Sequence, residues 1–123
     1  MEESMNYLLE FTIDMLPKME NELTRARWEV RSGYYRTWRR RIEQECWPQR
    51  PSEPLENARI TLTRFSSGKT DPEALQASFK PIVDGLVQGG IIRLDALEGS
   101  VEYFHERAPL GKGSIRVKVV GVA

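Results

Sequence analysis

The side chains best suited to chemistry lie between Thr70 and Asp95, in the stretch TDPEALQASFKPIVDGLVQGGIIRLD. Asp71 and Glu73 stand where a helix should begin, and Asp95 follows a Gly-Gly break and an Ile-Ile pair. Oxygen ligands drawn from separate elements are what a hard divalent cation needs, and such a cation can promote phosphodiester hydrolysis. Asp71, Glu73 and Asp95 are therefore the candidate metal ligands. Each also has a plainer role open to it. Asp followed by Pro at a helix entrance is an N-cap. An acid in the first turn complements the helix dipole, and an acid after an apolar pair can begin a turn. Capping and metal binding are compatible at Asp71, because a carboxylate has two oxygens. Lys80 lies on the same helix and could neutralise a phosphate. It could equally face solvent with Asp84 as its partner, a pairing worth only ~0.3 kcal/mol.

Little else offers catalysis. His105, the one histidine, lies between Phe104 and Glu106 and reads as structural or surface-exposed. One Cys and one His do not build a zinc site, and Cys46 alone excludes an intrachain disulfide, which points to a reducing interior. No Ser-His-Asp, Cys-His or dinucleotide-binding pattern is visible. Ser66-Ser67-Gly68-Lys69 lacks the leading glycine of a phosphate-binding loop and reads as a turn.

Charge is balanced in sum and uneven in place. Residues 1–23 hold one Lys and six acids; residues 24–50 hold eight Arg and three acids; residues 51–123 hold nine of each sign. The arginines are interleaved with Trp28, Tyr34, Tyr35, Trp38 and Trp47. Arginine suits bidentate contact with phosphate, and aromatic faces can stack with bases. The alternative is a solvated helix face paired with the acids of the N-terminal segment.

The elements that must position these groups follow from periodicity. At 123 residues, 40% hydrophobic and 29% charged, the chain suits one domain with a core of its own. No apolar run approaches the roughly 20 residues of a membrane span, and the acidic start is not a secretory signal, so a cytoplasmic protein is expected. Leu9, Phe11, Ile13 and Met15 alternate with polar residues as the inward face of a half-buried strand. From Arg25 to about Cys46, Ala26, Val30, Tyr34, Trp38, Ile42 and Cys46 recur every four residues as the stripe of a helix. Three prolines between Trp47 and Pro54 mark a loop. Ala58 to Phe65 is a second strand, with Ile60 and Leu62 inward. Asp71-Pro72 opens a second helix that Pro81 should kink or split near Ser78, and Gly89-Gly90 ends it. Val101–Arg107 and Ser114–Val120 read as an antiparallel hairpin across Ala-Pro-Leu-Gly-Lys-Gly. The order β-α-β-α-β-β predicts an α+β fold, a mixed four-stranded sheet with two main helices packed against it.

Read together, these segments resemble the RusA-type Holliday-junction resolvases, endodeoxyribonucleases common in phages and prophages. The family's core is an Asp-x-Asp-Asn-Leu opening, a helix with Phe-Lys-Pro and Asp-Gly-Leu, a glycine bend and an Asp-Asp pair. Here it takes the form Asp71-Pro72-Glu73-Ala74-Leu75, Phe79-Lys80-Pro81, Asp84-Gly85-Leu86, Gly90 and Leu94-Asp95. The tail from Val101 to Val117 is similar to the family's closing hairpin, and Pro17, Asn21, Leu23, Arg25 and Trp28 to its N-terminal signature. The likeness spans about residues 9–121. It implies a homodimer acting on branched DNA, with magnesium, or manganese in its place, on Asp71, Glu73 and Asp95, and with Lys80 supporting catalysis. Arg25, Arg31, Arg36, Arg39, Arg40, Arg107 and Lys112 would contact the DNA backbone. Glu73, Ala74 and Leu94 depart from the Asp, Asn and Asp of the family pattern. The expected function is magnesium-dependent resolution of four-way junctions in recombination and repair. The alternatives are a catalytically silent homodimer that binds DNA or a phage partner, and an interaction module whose charge blocks pair internally.

Overall fold

Alternation of apolar side chains builds the sheet. The structure, a computed structural model, describes residues 5–19 and 27–122. Strand β1 is Met5–Ile13, β2 Ala58–Ser66, β3 Val101–Arg107 and β4 Ser114–Val122. Leu9 and Ile13, Ile60 and Leu62, and Ile115, Val117 and Val119 lie on one face and are almost fully buried. Met15, expected to continue that face, lies past the end of β1 and is exposed.

Helices close the buried face. Helix α1 is Trp28–Cys46, α2 Pro72–Ser78 and α3 Lys80–Gln88. Asn21, Leu23, Arg25 and Ala26, expected to lead into α1, lie outside the described residues. Of the stripe expected on α1, Trp38, Ile42 and Cys46 are buried and Tyr34 is half-buried, whereas Val30 is exposed. The stripe thus meets the core only in the C-terminal two thirds of the helix. Burial pushes the Cys46 thiol up to about 12, with Glu45 and then Glu43 adding to the shift, so it stays protonated.

The expected break at Pro81 divides one helix into two. Phe79 donates its N–H to the Gln76 carbonyl at 3.1 Å, and α3 restarts with Pro81 in its first turn, where a missing N–H costs nothing. Phe79 fills the joint, fully buried, against Tyr103. Gly85 lets α3 lie against α1: a Cβ there would stand 2.8 Å from the Cβ of Ile42. Gly90, at φ 78°, turns the chain into Ile91 and Ile92, which are buried beside Leu55.

The predicted hairpin is not formed. The strand order is β1-β4-β2-β3, so β2 lies between β3 and β4. β3 runs parallel to β2, with Ile60 opposite Val101 and Ser66 opposite Arg107. β4 runs antiparallel to both β1 and β2. Composition explains the exchange. VEYFHER carries charge on both faces and suits an edge, whereas the regular Ile115, Val117, Val119 alternation suits a central strand. No helix among the described residues is long and apolar enough to cross a membrane.

Candidate functional site

Topology decides where the acids stand. Asp71 and Glu73 enter the β2-to-β3 crossover, beyond the C-terminal end of β2. Asp95 leaves it, in a 3₁₀ turn at Leu94–Ala96, before the N-terminal end of β3. Because β2 and β3 are parallel, those are opposite ends of the sheet, and a strand of nine residues spans about 26 Å. Asp71 acts as the cap expected of it: its Oδ1 accepts the Ala74 N–H at 3.0 Å. Asp95 Oδ2 accepts from Arg93 Nη2 at 2.9 Å, and Arg93 Nη1 donates to Glu56 Oε1 at 3.1 Å. Among the described residues no three His, Cys, Asp or Glu side chains are grouped so as to hold a metal ion. The donor set expected for magnesium is therefore not assembled within one copy of the chain.

Other expected residues do come together. Lys80, at the start of α3, faces Arg31 and Arg39 of α1 across an open groove of about 360 Å³. Trp28, Ser32 and Tyr35 continue the α1 wall, and Asp84 lies one turn beyond Lys80 on the α3 wall. Their spacing on α1 is that of a single helical face. Among the described residues no hydrogen bond or ion pair engages the side chains of Arg31, Arg39 or Lys80. Arg41, by contrast, is tied to Glu45 of its own helix at 3.0 Å. Among the described residues the groove is thus bordered by three cations against one acid, at the end of the layer where both helices begin.

The remaining expected contacts are scattered. Arg36 and Arg40 are exposed elsewhere on α1. Arg107 ends β3 beside the Ser67-Gly68 turn, and Lys112 is exposed in the connection to β4. Arg25 lies outside the described residues.

One cluster went unforeseen. Arg64 is buried, donating from Nη1 to the Pro17 carbonyl at 2.7 Å and from Nε to Ser66 Oγ at 3.4 Å. Ser66 Oγ in turn lies 2.8 Å from His105 Nε2 on β3. The Lys18 N–H donates to the Tyr34 hydroxyl at 2.6 Å, and burial holds that phenol above its usual range despite Lys18 and Arg64. This network fastens the segment after β1 to the sheet and to α1. Alternation through Ile60 and Leu62 already puts Arg64 on the inward face, so the signal was in the sequence. No model of a known protein family matches the chain, and no curated protein matches it.

Proposed function

We propose that this protein binds branched DNA through its phosphates, using the groove between α1 and α3, in the manner of a RusA-like homodimer that does not cleave. The observation that supports it is the set of three cations, Arg31, Arg39 and Lys80, bordering one open groove without ion pairs among the described residues. Guanidinium groups hold phosphate oxygens bidentately, and a lysine adds a point charge. A dimer would present two such grooves to the arms of a junction. Recognition of this kind reads backbone and branched shape, not base edges.

Salt is the direct test. Three phosphate contacts per groove correspond to a slope of about −2.7 in log affinity against log salt, so a fourfold rise in salt should weaken binding about fortyfold per groove. A four-way junction titrated by anisotropy at several salt concentrations reads that slope. A flat response would remove the phosphate reading and leave an interaction module. The same junction incubated with magnesium or manganese tests the other expectation. Cleavage that Asp71→Asn abolishes would replace the silent reading with a nuclease whose acids come from more than one copy.

A further inference from the structure

We propose that the groove seats an unpaired nucleic-acid strand, with a base stacked on Trp28 and neighbouring phosphates on Arg31, Arg39 and Lys80. The inference rests on the phosphate-binding reading above and names the form of the strand. A duplex backbone asks only for cations and hydrogen-bond donors, because its bases are stacked away. This groove offers more. Trp28 is 70% exposed and lines the same wall as the arginines. An indole facing water beside cations is the pairing that single-strand binders use, a ring for the base and a charge for the phosphate.

The order along α1 supports this. Trp28, Arg31, Tyr35 and Arg39 follow one another at three- or four-residue steps on one face. Ring and cation therefore alternate about every 4.5–6 Å along the helix axis. A single strand likewise alternates flat bases with charged phosphates. Asp84, the acid of the groove, is unfavourable beside a phosphate but can accept a base amine, which cytosine and adenine both carry. A peptide of acidic residues would meet the same cations, yet its side chains bring no ring to Trp28 and no amine to Asp84.

The experiment compares the intact protein and its Trp28→Ala and Trp28→Phe variants at one salt concentration. The probes are a labelled deoxycytidine oligomer, a blunt duplex of equal length, and poly-glutamate as competitor. Because Trp28 is exposed, both variants should fold, and circular dichroism checks this. The oligomer should bind more tightly than the duplex. Trp28→Ala should weaken the oligomer about tenfold, the loss of one base–ring stack, and the duplex less than about twofold. Trp28→Phe should recover most of the oligomer binding. Equal weakening of both probes, no weakening of the oligomer, or displacement by poly-glutamate as effective as by unlabelled oligomer would each overturn the inference. If the wild type binds the duplex through the groove with the expected salt slope but does not prefer the oligomer, only this inference falls. If it binds neither nucleic acid, the phosphate reading falls with it.

Discussion

The two ends of this helix–sheet sandwich handle charge in opposite ways. Where α1 and α3 begin, Arg31, Arg39 and Lys80 border a groove and make no ion pair among the described residues. Where β2 and β3 begin, Glu56, Asp95, Glu98 and Glu102 border a second open groove, of about 530 Å³. There Arg93 bridges Glu56 and Asp95, and Arg59 lines the same wall. Among the described residues, the first end leaves its charges available to a ligand, and the second neutralises much of its own. A net charge of zero hides both arrangements. Whether a charged surface is internally paired says more about its capacity to bind than how many charges it holds, since exposed pairs are worth only about 0–1 kcal/mol but do cancel the local field.

The largest expected effect breaks this comparison directly. Replacing Arg31, Arg39 and Lys80 together by Ala should lower junction affinity about thousandfold, because each of the three charged contacts to phosphate contributes on the order of 1.5 kcal/mol. Neutralising Glu56, Asp95, Glu98 and Glu102 to their amides should change it less than about threefold, and only through the long-range field. Anisotropy titrations of the two variants at matched salt measure the ratio. An acid-end variant that binds as poorly as the groove variant would mean that the ends are not separate surfaces.

A second contrast uses glycines. Gly85→Val should cost about 2 kcal/mol in urea unfolding, because its side chain must push Ile42 and spread α1 from α3. Junction affinity should fall with it, since Lys80 stands on the displaced helix. Gly99, near the acidic groove, has φ 74° and open space around it. Gly99→Ala should cost about 1 kcal/mol of backbone strain and leave binding unchanged. The same measurement on both variants separates groove geometry from general stability.

What the sequence disclosed follows from which forces act locally. Element type and order came from periodicity, and the Pro81 break came from a missing N–H, both local properties. The pairing of β3 did not, because a strand's neighbour is set by burial across the whole sheet. The charges of Glu102 and Glu106 on one face and Arg107 on the other were the clue to its edge position. That the acid trio does not meet within one copy has a related cause. Asp71 and Asp95 sit at the two mouths of one crossover, and spacing along a helix places them apart by its length. Arg31, Arg39 and Lys80 were each named as phosphate contacts in the sequence. Their meeting in one groove depends on the close packing at Gly85, which only the folded chain shows.

The smallest expected effects distinguish the two acid positions. Asp71→Ala should cost about 1 kcal/mol in thermal unfolding by freeing the Ala74 N–H, while Asp71→Asn should cost less, because asparagine caps as well. Asp95→Asn should cost about 0.5 kcal/mol or less: its pair with Arg93 is exposed, and Arg93 keeps Glu56. Melting with and without magnesium sharpens the point. If the two ends act independently, magnesium shifts the wild type and both Asn variants equally, by ionic strength alone. A magnesium-specific rise that Asp71→Asn and Asp95→Asn each abolish would require the two ends of different copies to meet around one cation, since one copy holds them a strand's length apart.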